Sequence, residues 1–207
     1  MQKKETLSKK EIKSLQTKKK IYEAAEQLFK ELGLENVSVD SIVKKAGVAK
    51  GSFYVHFDSK NVLIAALIAD YVKKIDINYQ SFIQSMPAST KPSDLIILLV
   101  GEIADTIACT IGFNNMKVVY EVQITKTVNA SSMLGYNREL YQIFGNLIKL
   151  GIQQGDFKTD LDIDSLAKHF IMILRGITYE WIIRYPDFNL REESQKHFEL
   201  LLIGIKK

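Results

Sequence analysis

Residues 38–57 have the sequence SVDSIVKKAGVAKGSFYVHF, which contains two short helical patterns separated by a glycine. Ser38 is a residue type preferred at helix N-caps, and apolar residues follow it at helical spacing. Gly47 can adopt the left-handed backbone that ends a helix and turns the chain sharply. A second short helix is predicted after it, up to Phe57. The segment therefore predicts a helix-turn-helix.

The spacing within the second of these helices separates buried from exposed residues. Phe53 and Phe57 lie four residues apart on one face, where they are expected to join a small apolar core. In a helix-turn-helix the second helix enters the major groove of DNA, and a glycine there lets the backbone approach a phosphate closely. The residues left for such contacts are Lys50, Gly51, Ser52, Tyr54 and His56.

The same region resembles the TetR family of repressors. The resemblance rests on GVAKGSFYVHF at Gly47–Phe57, on Ser59-Lys60 after it, and on the apolar spacing of the two preceding helices. It covers about residues 18–67, roughly a quarter of the chain, and combines many fixed spacings. It implies an all-α fold and a repressor that a small molecule releases from its operator.

What the family implies for single residues can be assigned to the matching positions. The expected contacts to phosphates or base edges of operator DNA are Ser38, Lys50, Gly51, Ser52, Tyr54, His56 and Lys60. Alternatives remain for several of them: Ser38 could serve only as a helix cap, Tyr54 could mainly pack, and His56 could brace the helix end. Ala49 departs from the serine or threonine frequent in the family, so a cap and a phosphate contact are absent there.

The charge of the chain is unevenly distributed. Residues 1–60 contain 13 lysines and 8 acidic residues, a net charge of +5, within a total of +4 for the chain. A basic N-terminal region on a neutral remainder is typical of a protein with a polyanionic partner. The alternative is a lysine-rich leader that is merely solvated, and charge alone does not separate the two.

Composition excludes several other classes of protein. A single cysteine, Cys109, excludes an internal disulfide and is usual in a reducing cytoplasm, where we expect the protein. No apolar run approaches the roughly 20 residues needed to cross a membrane. We expect no metal, no cofactor and no enzymatic activity, because the motifs for phosphate loops, nucleophile elbows and metal helices are missing. The remaining alternative is a helical adaptor that binds protein and not DNA.

The rest of the chain is predicted to be helical. We expect a three-helix DNA-binding domain over residues 14–68 and a larger helical domain for ligand sensing and dimerisation over residues 69–207. As in TetR-like proteins, the last two helices, about Asp164–Tyr185 and Asn189–Ile205, are expected to join a homodimer, although the intramolecular core should claim part of their apolar stripes. The predicted interface residues are Leu174, Ile177, Trp181, Phe198, Leu201, Leu202 and Ile205.

A pocket for the small-molecule effector is expected between the middle helices. Soft and aromatic side chains suit such a lining, although core packing is the competing interpretation for each of them. No cluster of buried charge is evident in the sequence, which favours an apolar or weakly polar ligand. The predicted lining residues are Cys109, Met116, Tyr120, Met133, Tyr141, Phe144 and Met172.

Overall fold

The predicted all-α fold is confirmed by the structure, a computed structural model that describes residues 8–34, 36–125, 138–160 and 162–207. These residues contain no β-strand, only an isolated antiparallel bridge between Phe157 and Lys206. The helices, in chain order, are α1 (Lys9–Leu32), α2 (Val39–Ala46), α3 (Lys50–His56), α4 (Lys60–Ser85), α5 (Pro92–Asp105), a π-helix (Thr106–Ile111), α6 (Phe113–Thr125), α7 (Glu139–Gln154), α8 (Ile163–Arg184) and α9 (Leu190–Ile203).

The described chain divides into two compact units. The first contains the residues up to Ile68 together with the end of α6 from Glu121, and the second contains Ala69–Tyr120 and the residues from Arg138 onward. Helix α4 contributes to both, because it runs without interruption from Lys60 to Ser85. The predicted domain boundary at 68/69 stays a prediction.

The first unit is built from α1, α2, α3 and the start of α4. Its core contains fully buried side chains from each of these helices, including Ile21, Ile42, Phe53 and Leu63. A hydrogen bond of 3.2 Å from the Tyr22 hydroxyl to the Ala66 carbonyl ties α1 to α4. Burial of these residues against one another stabilises the unit, in which α2 and α3 are each too short to persist alone in water.

Helix α1 begins earlier than its apolar pattern indicates. The apolar residues begin at Ile21, yet the helix starts at Lys9, where Ser8 and Glu11 form a capping box. The Glu11 carboxylate accepts a hydrogen bond of 2.7 Å from the Ser8 amide, and this bond lowers the pKa of Glu11. A helix that is polar nearly all round gives no periodic signal, so the predicted domain start at residue 14 falls inside a helix.

The second unit has a large apolar core formed by α5, α7, α8, α9 and the C-terminal part of α4. Three phenylalanines lie at its centre, with ring centroids 5.5 Å apart for Phe144–Phe170 and 5.3 Å apart for Phe170–Phe198. Side chains cap the last two helices: Asp162 accepts a hydrogen bond from the Ser165 amide at 3.0 Å, and Asn189 accepts one from the Glu192 amide at 3.2 Å.

No single helix in the described ranges is long and apolar enough to cross a membrane, although a bent pair, Pro92–Ile111 with Phe113–Thr125, passes that test by length and composition.

Candidate nucleic-acid interface

Helix α3 presents two opposite faces, as its spacing predicts. Phe53 is fully buried and Phe57 is 4% exposed, and their ring centroids lie 5.7 Å apart inside the core of the first unit. On the other side Tyr54 is half-exposed and Val55 is 77% exposed. A Cβ added at Gly51 would meet nothing within 4 Å, so backbone at this position is open to an approaching phosphate.

The turn between α2 and α3 has the predicted backbone. Gly47 has φ 66° and ψ 38°, the left-handed conformation that favours glycine. The Ser38 hydroxyl accepts a hydrogen bond of 3.0 Å from the Ser41 amide, so the capping interpretation of Ser38 is observed, while its contact with DNA stays a prediction. At Ala49 no side chain caps α3, as expected from the missing hydroxyl.

The exposed face of α3 includes an ion pair that the sequence did not indicate. The Lys50 ammonium lies 2.8 Å from a carboxylate oxygen of Asp40, at the start of α2, and both side chains are more than half exposed. The hydrogen bond and the charge of Asp40 raise the pKa of Lys50. Asp40 is therefore paired with Lys50 on the exposed side of α3, and the nine residues between them in the sequence give no signal for this contact.

Lys60 lies at the start of α4 with its ammonium directed into the protein. It donates hydrogen bonds to the carbonyl oxygens of Leu34, at 3.2 Å, and Val37, at 2.8 Å. These bonds satisfy carbonyls of the α1–α2 connection, which gives Lys60 a structural role that the sequence interpretation did not include. A phosphate contact from Lys60 stays a prediction, since it would have to compete with these two carbonyls.

The structure places the predicted pocket residues in different surroundings. Cys109 is exposed on the π-helix and Met172 is 59% exposed on α8, and a role of these two in a pocket between the middle helices stays a prediction. Phe144 is fully buried among aromatic rings, as core packing predicts. Met133 lies outside the described residues.

The other predicted lining residues are buried or partly buried on α6 and α7. Met116 on α6 is 7% exposed, and Tyr141 on α7 is 6% exposed and belongs to the core of the second unit. The Tyr120 hydroxyl donates a hydrogen bond of 2.8 Å to the Arg175 carbonyl, and burial raises the pKa of Tyr120 to about 12. Tyr120 is therefore a neutral, satisfied phenol at physiological pH.

The second unit contains a buried ion pair that the sequence did not indicate. The Arg138 guanidinium donates two hydrogen bonds to the Asp76 carboxylate, at 2.7 and 2.6 Å. The Asp76 side chain is 2% exposed and that of Arg138 is 19% exposed. Tyr79, one helical turn after Asp76, has its pKa raised by burial. This bidentate pair joins α4 to the start of α7.

A cleft of about 170 Å³ lies near this pair, between the C-terminal part of α4 and α7. Its lining includes Gln80 and Gln84 of α4 and Glu139 and Asn146 of α7, and none of the predicted pocket residues contributes to it. Sites for drug-sized ligands generally have about 300–1,000 Å³. The cleft in this conformation is therefore smaller than a typical effector site.

The predicted dimer-interface residues are mostly buried within their own subunit, and their contact with a partner stays a prediction. Core packing buries six of them: Leu174, Ile177, Trp181, Phe198, Leu202 and Ile205. Leu201 is partly buried against the core of the second unit. The apolar side chains of the last two helices that do remain exposed are Met172, Tyr179, Ile183, Leu200 and Ile203.

Comparisons with known proteins agree with the geometry of the first unit. Residues 21–67 match the family model for bacterial regulatory proteins of the tetR family. A regulator from Bacillus subtilis, YvdT, is 52% identical over 48 residues, which cover 23% of this chain and 25% of that one. The transcriptional repressor KstR2 of Rhodococcus jostii is 21% identical over 89% of both chains.

The fold of the whole chain is also shared with solved structures. FadR of Thermus thermophilus, a TetR-family transcriptional repressor solved in complex with lauroyl-CoA, superimposes with a TM-score of 0.69 at 19% identity, over 90% of this chain and 93% of that one. The helix-turn-helix, the helical second unit and the family match point to the same assignment. Residues 21–67 are therefore similar to the DNA-binding region of the tetR family of bacterial regulatory proteins, and most of the chain is similar in sequence to a transcriptional repressor.

Proposed function

We propose that the protein is a cytoplasmic repressor that binds a pseudo-palindromic operator as a homodimer and releases it when a small molecule binds. The observation that carries this proposal is the two-sided α3: its phenylalanines are buried, while Lys50, Tyr54 and Val55 remain exposed. Polar and basic side chains suit phosphates and base edges, and the exposed valine suits the methyl group of a thymine.

Substitutions on the exposed face of α3 test the proposal without disturbing the core. Lys50→Gln and Tyr54→Phe should lower affinity for an operator selected from random DNA, each by about tenfold, since lost charge-assisted or hydroxyl contacts contribute roughly 1–3 kcal/mol. Lys30→Gln, on an exposed position of α1, is the matched control and should bind normally. Equal loss in the control, or no loss in either α3 variant, would contradict this DNA-binding surface.

The dimer is assigned to the exposed apolar side chains of α8 and α9. Met172, Tyr179 and Ile183 recur at helical spacing on α8, and a Cβ added at Gly176 between them would meet nothing within 4 Å. The glycine leaves room for close approach of a partner helix. Leu200 and Ile203 supply a corresponding pair on α9, 68% and 70% exposed.

Two variants distinguish this exposed surface from the buried apolar residues of the same helices. Ile183→Arg with Ile203→Arg should yield a soluble, folded monomer in sedimentation equilibrium, because both side chains are exposed in the subunit. Ile177→Arg should instead yield unfolded or insoluble protein, since it buries a charge without a partner. A double variant that keeps the wild-type dimer mass would refute the assignment to this surface.

The effector is proposed to bind in the second unit and to act through α4, the helix common to both units. Displacing one end of a continuous helix also moves its other end, which would change the distance between the two α3 helices of a dimer. That distance must match DNA grooves about 34–36 Å apart, or a multiple of that spacing. Because T. thermophilus FadR binds lauroyl-CoA, fatty acyl-CoA thioesters are the first compounds to test. A coupling of about 1–3 kcal/mol would weaken operator binding roughly 5- to 150-fold.

The competing adaptor function makes a different prediction. An adaptor that binds protein would show no salt-dependent association with duplex DNA, whereas a repressor that neutralises phosphates must lose affinity steeply as salt rises. A salt titration with random-sequence duplex separates the two functions before any operator is known.

A further inference from the structure

The first half of α1 is a rigid helix that contributes nothing to a core. We call Lys9–Lys20 the N-terminal arm; along it every side chain except Thr17 is exposed, including Ile12 at 44% and Leu15 at 54%. With 1.5 Å of rise per residue the arm is about 18 Å long. Good helix formers, the capping box at its start and continuity with the packed half of α1 account for its helicity.

The lysines of the arm fall into two groups. Lys18 lies over the Phe57 ring, 5.7 Å from its centroid, and Lys19 lies 3.6 Å from Glu23, so these two are engaged within the first unit. The others, Lys9, Lys10, Lys13 and Lys20, form no ion pair among the residues that the structure describes.

Three of these free lysines lie on one side of the helix. At about 100° per residue, Lys9, Lys13 and Lys20 project within about 40° of one another, and we call them the basic stripe. The only acidic residue of the arm, Glu11, projects about 180° from the middle of the stripe and is held by Ser8. Within the arm, the stripe is therefore a row of like charges with no acidic residue beside it.

We propose that the basic stripe binds the phosphate backbone of DNA next to the groove that α3 occupies. Lys18 lies over the ring of Phe57, the C-cap residue of α3, so the arm leaves the first unit beside the end of that helix. A duplex presents one negative charge per about 1.7 Å, so phosphates are available along the whole length of the arm. The inference rests on the proposed function and enlarges its contact surface by a second, sequence-independent site.

An anionic membrane is the other polyanion that such a helix could meet, and the arm fits it poorly. Helices that lie in a membrane surface need a broad apolar face. The arm has only two apolar residues, Ile12 and Leu15, and its stripe contains none. Phosphates of DNA are the better match in charge and in location.

The test compares two triple variants with equal loss of charge. Lys9→Gln/Lys13→Gln/Lys20→Gln removes the stripe, and Lys91→Gln/Lys149→Gln/Lys206→Gln removes three exposed lysines of the second unit as the matched control. Lysine and glutamine have similar helix propensity, and circular dichroism verifies that both proteins stay folded. The probe is a random-sequence duplex of about 40 base pairs, close to four helical turns, so that only sequence-independent contacts are measured.

The logarithmic dependence of affinity on salt gives the readout. Each phosphate contact contributes a slope of roughly −0.9, so loss of the stripe should flatten the slope by about one to three units, and the control should flatten it by less than one. Equal slopes for the two triple variants would overturn the inference that the arm binds DNA, while leaving the proposed function intact. A wild-type protein without any salt-dependent association would overturn both.

Adsorption to lipid vesicles provides a second, independent measurement. Phosphatidylcholine vesicles with about one third phosphatidylglycerol offer a negative surface without DNA. If the stripe variant lost adsorption to these vesicles but kept the wild-type slope on duplex DNA, the arm would be a membrane contact and the inference would be wrong.

Discussion

Removal of Arg138 should destabilise the second unit strongly, because it leaves the Asp76 carboxylate buried without its partner. The Asp76 side chain is 2% exposed, and both of its oxygens accept hydrogen bonds from Arg138. Removing one partner of a buried ion pair lowers the free energy of unfolding by about 3–5 kcal/mol. For a chain of this size each kcal/mol lowers the midpoint of thermal unfolding by about 2–4 °C, so Arg138→Leu should lower it by about 6–20 °C.

Two further variants make the measurement specific. Asp76→Leu with Arg138→Leu removes both charges and should restore most of the lost stability, since replacing a whole buried pair by apolar residues is often neutral or stabilising. Lys19→Leu breaks an exposed pair with Glu23, which is expected to contribute at most about 1 kcal/mol. Thermal unfolding followed by circular dichroism compares all three proteins at one concentration.

The reasoning would be refuted by a midpoint for Arg138→Leu within about 2 °C of wild type. It would equally be refuted if the double variant at the two positions were as unstable as the single one, because packing and not charge would then explain the loss.

Three further predictions test single contacts. Gly151→Ala places a methyl group 2.2 Å from a buried phenyl ring and should lower the free energy of unfolding by at least about 1–3 kcal/mol. Gly145→Ala in the same helix meets only an ordinary contact at 3.7 Å and should raise the free energy of unfolding by about 0.5–1 kcal/mol. Urea midpoints in the opposite order would contradict this. Lys60→Met should lower the free energy of unfolding in urea by about 1–3 kcal/mol, because two carbonyls lose their donor. Loss of the positive charge should also weaken binding to all duplexes alike, and unchanged stability with weaker binding would assign Lys60 to phosphate alone. Asp40→Asn should raise the affinity for random-sequence duplex severalfold at low salt, because it removes a negative charge and releases Lys50. A fall in affinity, measured by fluorescence anisotropy, would show instead that Asp40 positions Lys50 for DNA binding.

Local rules in the sequence were sufficient for the helix-turn-helix. Ser38 caps α2, Gly47 takes the left-handed turn, and Phe53 and Phe57 are buried. Each of these features depends on residues within four positions of one another, where capping chemistry and helical spacing apply directly. For the same reason the caps at Asp162 and Asn189 could be predicted.

Features that depend on distant residues could not be predicted. Asp76 and Arg138 are separated by 62 positions, and nothing in either local sequence indicates the other. On α8 two apolar stripes have equally good helical spacing, so the sequence does not distinguish Ile177, which packs inside the subunit, from Ile183, which is exposed. The early start of α1 was missed because its first half packs against nothing.

Selection of bound sequences from a random duplex pool tests the central claim most directly. A dimeric repressor that reads DNA through α3 should enrich a pseudo-palindrome whose half-sites lie about 34–36 Å apart, or a multiple of that distance. Selection in parallel with Lys50→Gln should enrich a weaker or altered half-site. Contradiction would come from a wild-type protein that enriches no motif even at low salt, or from a motif that stays identical when Lys50 is replaced.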